Sequence, residues 1–297
     1  MEPRGSRYMH VLILGAGFSG AAIAKTLRPL AQTVTGTTRS EEKAARLSLQ
    51  GITPLIFDGE TVSPALMAAM ARTTHLIQSI APGKARDPLM RPGQPALAEL
   101  MPELAWAGYL STVGVYGDHG GAWVDEETPL HPVSERSQER VEAEEQWLSF
   151  GKATGVPVAV LRLSGIYGPG RNGLRNLAEG TARRLVKPGQ VFNRIRVEDI
   201  AGATQFLIEH GLAGIYNVTD DEPAPPQDVV AEAARLMGID PPPEIPFETA
   251  ELSPMARSFY GENKRVSNAK LKAAGYTFAY PTYRQSLAAL WGEGNWG

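Results

Sequence analysis

A glycine-rich segment near the start of the chain carries the clearest chemical signal in the sequence. Gly15-Ala16-Gly17-Phe18-Ser19-Gly20 follows the short apolar run Val11 to Leu14 and leads into Ala21-Ala22-Ile23-Ala24, which suits the opening of a helix. Backbone amides at a helix N-terminus bind phosphate groups, and the helix dipole favours negative charge there. This strand–turn–helix order therefore predicts a turn that binds the diphosphate of a dinucleotide, rather than a plain connection.

Each glycine of this turn has its own structural reason. Gly15 suits the tight turn after the strand, and Gly17 lets the backbone approach a pyrophosphate. Gly20 lets the helix pack closely on the strand. The predicted cofactor contacts of the turn are Gly15, Gly17, Phe18, Ser19 and Gly20.

The end of the second predicted strand favours NADP(H) over NAD(H). NAD-binding proteins usually place Asp or Glu there, to bind the ribose 2′-hydroxyl. This chain has Gly36-Thr37-Thr38-Arg39 and no carboxylate before Glu41. Arg39 can pair with a 2′-phosphate, and Thr37 or Thr38 can donate hydrogen bonds to it. We therefore expect NADP, with NAD as the second choice; the alternative for Arg39 is a solvated loop arginine.

Three further positions are predicted cofactor contacts: Asp58, Ile80 and Ala81. Asp58 follows the third strand, where it can bind the adenine amino group, although it equally suits the first position of a turn. Ile80 and Ala81 lie where the fourth strand passes into a Gly/Pro-rich loop, residues 81–95, which we expect near the ligand.

Short apolar runs alternate with amphipathic stretches along the chain, which is typical of a parallel sheet covered by helices. The predicted strands are 10–14, 33–36, 53–57, 75–80, 109–112, 156–163 and 215–218. The predicted helices are 19–27, one opening at Ser40, 63–71 opening at Ser63-Pro64, 134–153, 171–186, 199–210 and 226–237, the last ended by Gly238.

This order predicts an α/β fold, a Rossmann doubly wound parallel sheet with a smaller C-terminal substrate lobe. Residues 1–165 are assigned to the dinucleotide-binding domain, whose sheet also takes in part of 190–220. Residues 166–297 are assigned to the smaller lobe, interleaved with that core.

Composition excludes several classes of protein. The 297 residues are 43% hydrophobic and carry a net charge of −3, so the chain has no basic field for nucleic acid or an anionic membrane. The absence of cysteine excludes disulfides and thiolate metal sites, and the five scattered histidines predict no metal site. The apolar run 11–14 is too short for a signal peptide, so we expect a cytoplasmic protein.

Several blocks beyond the glycine turn resemble the short-chain dehydrogenase/reductase superfamily, in particular its extended and atypical branches, which include nucleotide-sugar epimerases and dehydratases. The blocks are Leu110-Ser111-Thr112-Val113-Gly114-Val115-Tyr116-Gly117, Glu126-Glu127-Thr128-Pro129, Leu161-Arg162-Leu163-Ser164-Gly165-Ile166-Tyr167-Gly168-Pro169-Gly170, Arg196-Val197-Glu198-Asp199-Ile200 and Ile215-Tyr216-Asn217-Val218. The resemblance implies an NAD(P)-dependent oxidoreductase or epimerase.

In active extended members, catalysis uses a Ser or Thr after the fifth strand together with a Tyr-x-x-x-Lys pair on the next helix. Thr112 matches the hydroxyl position. The pair does not match, because alignment on Pro132 and on the family glutamate, at Glu144, places Arg136 at the tyrosine and Arg140 at the lysine. Arginine stays protonated, so Arg136 cannot exchange a proton as a phenol does.

The two arginines lie one helical turn apart and can together bind an anionic group, while Arg140 alone can hold the ribose hydroxyls. The alternative is a solvated face on which nearby carboxylates, at Glu135, Glu139 and Glu144, pair with both. Tyr116 can supply a phenol from another direction, or it can simply pack. The other acid–base candidates are Tyr167, His119 and Asp87.

Two functions therefore remain open from the sequence. The first, which we favour, is an enzyme that acts on a small hydroxyl or carbonyl compound, or on a nucleotide sugar, with Thr112, Tyr116, Arg136 and Arg140 as its catalytic candidates. The second is a non-catalytic NADP(H)-binding sensor. The expected partner is a small-molecule substrate, with no nucleic acid or membrane, and a homodimer is left open.

Overall fold

The computed structural model describes residues 9–83, 87–91 and 96–297, so parts of the predicted loop 81–95 lie outside the described residues. The chain divides into two compact units. The first comprises Met1–Thr112 as far as it is described, Ser134–Arg162 and Ile200–Ile215. The second comprises Val113–Val133, Leu163–Asp199 and Tyr216–Gly297.

The strands follow one another along the chain with helices between most of them. They are β1 His10–Leu14, β2 Thr33–Thr38, β3 Thr53–Ile56, β4 His75–Gln78, β5 Trp106–Thr112, β6 Trp123–Val124, β7 Val158–Leu163, β8 Gly165–Tyr167, β9 Arg184–Val186, β10 Arg194–Arg196, β11 Gly214–Val218, β12 Glu244–Pro246 and β13 Arg265–Val266.

The helices are α1 Phe18–Leu27, α2 Glu41–Leu49, α3 Pro64–Met70, α4 Leu97–Leu100, α5 Glu135–Thr154, α6 Gly173–Ala178, α7 Val197–Glu209, α8 Pro226–Met237, α9 Pro254–Phe259, α10 Ala269–Ala273 and α11 Tyr283–Gly292. Within the described ranges, no helix is both long and apolar enough to cross a membrane.

Seven of the described strands form one sheet, in the order β11-β7-β5-β4-β1-β2-β3. The pairs β1–β2, β1–β4, β2–β3 and β4–β5 are parallel. Strand order reverses between β1 and β4, which is the point where open α/β sheets bind their ligands. The Rossmann α/β prediction is confirmed.

Strands β1, β5 and β7 are largely apolar, as expected for a parallel sheet that is covered on both faces. Every residue of β7 is buried, as are the first six of β5. The main core of the first unit packs helix side chains such as Met70 and Trp147 against strand side chains such as Leu12, Leu76 and Val160. This packing holds the ends of β1 and β4 beside each other.

Local capping signals explain the helix boundaries. The Ser40 hydroxyl accepts from the Lys43 amide, and the Ser63 hydroxyl accepts from the Leu66 amide, so both predicted N-caps are confirmed. Gly238 has a φ of +67° and ends α8 as predicted.

The second unit contains, over its described residues, short parallel pairs of strands: β8 with β10, β9 with β12 and β6 with β13. The predicted helix 171–186 is wrong in its second half. After α6, Gly180 takes a φ of +68°, and Arg184–Val186 then pairs with β12, which satisfies its backbone as a strand.

Candidate functional site

The glycine turn is fixed against the end of β2. The Gly15 amide donates to Thr37 Oγ1 at 2.9 Å, and the Ala16 amide donates to the Thr37 carbonyl oxygen at 2.8 Å. Gly15 has a φ of +87°, and a Cβ placed there would lie 3.0 Å from Ile80 Cγ1. The turn is therefore held between β2 on one side and the end of β4 on the other.

Gly20 and Gly17 differ in what surrounds them. A Cβ at Gly20 would lie 2.6 Å from the Gly15 carbonyl oxygen, so close packing requires glycine there. A Cβ at Gly17 would have no described atom within 4 Å, and Gly17 is exposed. Gly17 is also the N-cap of α1 and has no side chain to cap that end.

This arrangement fits a diphosphate. The first turn of α1, Phe18-Ser19-Gly20-Ala21, contains no acidic residue, so no carboxylate there opposes an anion. Phe18 is 37% exposed and Ser19 is buried. The space beside Gly17 is where an anion bound by the first-turn amides would lie.

The other predicted cofactor residues surround this turn unequally. Ile80 is half-buried beside Gly15, and Ala81 is exposed. Thr38 is buried, whereas Arg39 is exposed directly after β2. The Thr37 oxygen already accepts from Gly15, so this side chain orients the turn.

Asp58 lies in a tight turn of its own. Its Oδ1 accepts from the Glu60 amide at 2.8 Å and from the Thr61 amide at 3.1 Å. These two hydrogen bonds, the Glu60 one first, hold the pKa of Asp58 below its ordinary value. The geometry supports the turn reading of Asp58, and its exposed carboxylate stays a predicted adenine contact.

Arg140 lies against β5. Its Nη1 donates to the Leu110 carbonyl oxygen at 2.6 Å and to the Tyr109 hydroxyl at 3.3 Å. Burial raises the pKa of Tyr109 to about 12, so this phenol stays protonated at neutral pH. Thr112, half-buried, ends the same strand, so the structure brings Arg140 close to the strand end that carries Thr112. Arg136 lies one turn earlier on α5 and is exposed.

Glu144 is engaged by a different partner from those expected. Arg162 donates to both of its oxygens, with Nη2 to Oε2 at 2.7 Å, and Ser111 donates to Oε1. Both charged side chains are 3% exposed. In the alternative of a solvated arginine face, the part that assigned Glu144 as a partner of Arg136 and Arg140 is therefore wrong: Glu144 belongs to a buried ion pair inside the first unit.

Tyr116, in the second unit, is completely buried. Its hydroxyl donates to Asn217 Oδ1 at 2.7 Å, and Asn217 in turn donates to the Ser267 carbonyl oxygen at 3.0 Å. This engagement supports packing as the role of Tyr116. Of the other acid–base candidates in the second unit, His119 has its Nε2 3.0 Å from the Tyr116 carbonyl oxygen. For Tyr167, burial raises the pKa of the phenol.

Comparison with known proteins agrees with this geometry. The model of the NAD dependent epimerase/dehydratase family matches residues 96–219. Protein YeeZ of Escherichia coli (strain K12) is 32% identical over 249 residues, which are 78% of this chain and 85% of the relative. The chain belongs to the NAD dependent epimerase/dehydratase family.

Solved structures extend the likeness to almost the whole chain. A functionally unknown conserved protein from Silicibacter pomeroyi DSS is 43% identical with a TM-score of 0.85, over 96% of this chain and 98% of that one. A putative NAD-dependent epimerase/dehydratase from methylobacillus flagellatus is 27% identical with a TM-score of 0.70, over the same shares. The resemblance seen in the sequence is therefore confirmed, and the chain is an NAD(P)-binding, epimerase-like protein.

This epimerase/dehydratase family member also contains functional contacts that the sequence did not reveal. Thr37, which the sequence offered together with Thr38 as a donor to a 2′-phosphate, also accepts from the Gly15 amide and so orients the glycine turn from 22 residues away. Gly36 is required because a Cβ there would lie 2.9 Å from Ala16 Cβ. Over the described residues, no group of three or more His, Asp or Glu side chains is placed to hold a metal ion.

Proposed function

We propose that this protein binds NADP(H) and acts as an oxidoreductase or epimerase on a small hydroxyl or carbonyl compound, or on a nucleotide sugar. The observation that carries the proposal is the glycine turn, where no described atom lies within 4 Å of a Cβ at Gly17, together with an exposed arginine, Arg39, directly after β2. That arginine stands where NAD-binding proteins usually have a carboxylate.

Different residues of the first unit would bind different parts of the cofactor. Amides of the first turn of α1 would hold the diphosphate, and Arg39 would pair with a 2′-phosphate on the adenosine side. Ile80 and Ala81 would flank the other half, because β4 lies across the switch point from β2. When bound, the nicotinamide supplies hydride transfer.

Solved proteins of the same fold support the binding of a dinucleotide, but they do not decide between NAD and NADP. A human epimerase family protein, 17% identical with a TM-score of 0.72, was solved with NADPH. A dTDP-glucose 4,6-dehydratase from Bacillus anthracis, 20% identical with a TM-score of 0.73, was solved with NAD. At these identities the likeness concerns the fold, so the preference for NADP rests on Arg39.

Two side chains of the first unit are suited to the substrate end of the reaction. Thr112 would hydrogen-bond the reacting oxygen, as the corresponding hydroxyl does in active relatives of the superfamily. Arg140, held by Leu110 and Tyr109, would act as a fixed cation towards the ribose hydroxyls or a substrate anion. Arg136 would add a second charge but cannot exchange a proton.

A non-catalytic NADP(H) sensor is the second candidate. The specific observation in its favour is that Tyr116, the phenol four residues after Thr112, is buried and donates to Asn217. Arginines also replace the Tyr-x-x-x-Lys pair. The sensor binds the cofactor and gives no turnover with any carbonyl substrate, whereas the enzyme oxidises NADPH with at least one.

Replacement of Arg39 tests the choice of cofactor. We expect Arg39→Ala to weaken NADPH binding by about 1–3 kcal/mol, because a charge-assisted pair is lost, and to leave NADH binding nearly unchanged. Titration of both nucleotides by intrinsic fluorescence measures this, with the exposed Arg46→Ala as a matched control. Equal losses for both nucleotides would remove the case for NADP.

Replacement of Gly17 tests whether the turn binds the diphosphate. Gly17→Ala should fold normally, because its Cβ meets no described atom, yet that methyl would occupy the diphosphate space. We expect NADPH and NADH both to bind at least about tenfold more weakly. Gly20→Ala is the comparison, since its Cβ meets the Gly15 carbonyl oxygen and should lower stability itself. Full affinity in Gly17→Ala would contradict the proposed function.

A further inference from the structure

A buried carboxylate lies behind the turn that follows β4. Asp87 is completely buried and accepts four hydrogen bonds. Its Oδ1 accepts from Gln78 Nε2 at 2.9 Å and from the Leu89 amide at 2.9 Å, and its Oδ2 accepts from Trp147 Nε1 at 3.1 Å and again from Gln78 Nε2 at 3.1 Å. Every one of these partners is a donor, which suits an ionised carboxylate.

The hydrogen bonds continue from Asp87 towards the glycine turn. A side-chain amide has one donating and one accepting end, and the carboxylate can only accept, so it fixes the donating end of Gln78 towards itself. Gln78 Oε1 is thereby left facing the Ile80 amide, from which it accepts at 3.1 Å. Ile80 is the residue that closes against Gly15.

The positive charge that acts on Asp87 is that of Arg140, on α5. Burial raises the pKa of Asp87 above its ordinary value, although the hydrogen bonds from Leu89, Trp147 and Gln78 and the Arg140 charge act in the opposite direction. Trp147 also stacks on Tyr109, with the ring centroids 6.2 Å apart, and Tyr109 accepts from Arg140. The carboxylate is thus built into the core that supports both β4 and β5.

We propose that Asp87 is a positioning residue that acts through Gln78 to hold Ile80 and Ala81 as the wall for the nicotinamide half of the cofactor. The inference rests on the proposed function. The adenosine half belongs to the β2 side of the switch point, so the half that passes β4 is the other one. Loss of the positioning should therefore weaken the binding of the whole dinucleotide, but not the binding of a ligand that contains only its adenosine half.

Asp87→Asn tests the proposal with almost no change of shape. Since Gln78 Nε2 contacts both oxygens of Asp87, the new amide group lies against Nε2 in either orientation. If the Gln78 amide turns to relieve this contact, it presents Nε2 to the Ile80 amide and breaks that hydrogen bond. We expect NADPH to bind about tenfold more weakly, and adenosine 2′,5′-bisphosphate to bind within about twofold of the wild type.

A second variant should restore binding. In Gln78→Glu/Asp87→Asn, the carboxylate is moved to position 78, where one oxygen can accept from the new Asn amide and the other from the Ile80 amide. We expect NADPH affinity to return to within about threefold of the wild type. Trp147→Phe is the structural control: it removes one donor to Asp87 and keeps both Gln78 and its hydrogen bond with Ile80, so it should lower the thermal midpoint without changing the ratio of the two affinities.

The outcomes separate the two proposals. Wild-type protein that binds neither ligand overturns the proposed function and this inference with it. If the wild type binds both, three results overturn the positioning role alone: equal weakening of both ligands in Asp87→Asn, a double variant that recovers neither folding nor NADPH affinity, or the same change of ratio in Trp147→Phe. Recovery in the double variant supports the role even if Asp87→Asn does not fold.

Discussion

Glu144→Ala is expected to lower the free energy of unfolding by about 3–5 kcal/mol, because it leaves the Arg162 guanidinium buried without its counter-charge. Both side chains are 3% exposed, and Glu144 binds Arg162 through both oxygens while accepting from the Ser111 hydroxyl. The pair connects α5, β5 and β7. Its loss should therefore weaken the support beneath Thr112 as well as the fold.

Urea unfolding of matched variants measures this effect. Glu42→Ala removes an exposed ion pair with Arg46, whose partners are 74% and 71% exposed, and should cost only about 0.3–0.5 kcal/mol. Glu144→Leu combined with Arg162→Met should regain most of the lost stability, because no charge is then left buried. A Glu144→Ala variant as stable as Glu42→Ala would show that the pair contributes nothing.

The part of the site that the sequence predicted well depends on neighbouring residues. The glycine spacing, the apolar run before it and the N-cap serines at Ser40 and Ser63 act within a few residues, so their effect on β1, α1, α2 and α3 can be seen in the sequence alone. The carboxylate-free end of β2 is equally local. These segments set the position of the glycine turn, and the fold prediction was confirmed.

The part that the sequence did not predict depends on contacts across the sheet. Glu144 lies on a helix rich in acidic residues, and its alignment with the family glutamate does not show that its partner is Arg162, on β7. Asp87, an acid–base candidate from the sequence, is completely buried and accepts from Gln78 at the end of β4. In both cases a long-range partner decides the role, and spacing along the chain does not identify that partner.

The residues after β5 show why such contacts matter for the second unit. Gly117 has a φ of +72°, and a Cβ there would lie 1.8 Å from the His131 carbonyl oxygen. The His131 amide donates to the Tyr116 carbonyl oxygen at 3.2 Å, and Lys264 Nζ donates to the Gly117 carbonyl oxygen at 2.7 Å. The backbone of Gly117 is thus enclosed on several sides, and a side chain at this position would have to displace the backbone of His131.

Gly117→Ala should therefore cost more than its backbone conformation alone. The left-handed conformation costs a non-glycine residue about 1–2 kcal/mol, and pushing the two backbone segments apart adds about 1–3 kcal/mol. Gly120→Ala is the matched control, since Gly120 has a φ of +58° with no described atom within 4 Å of its Cβ, so it should show only the first cost. Urea unfolding of the two variants compares them directly, and equal losses would mean that the chain around His131 yields without resistance. A larger loss in Gly117→Ala would show that the close approach of the backbone at Gly117 and His131 leaves no room for a side chain and stabilises the fold.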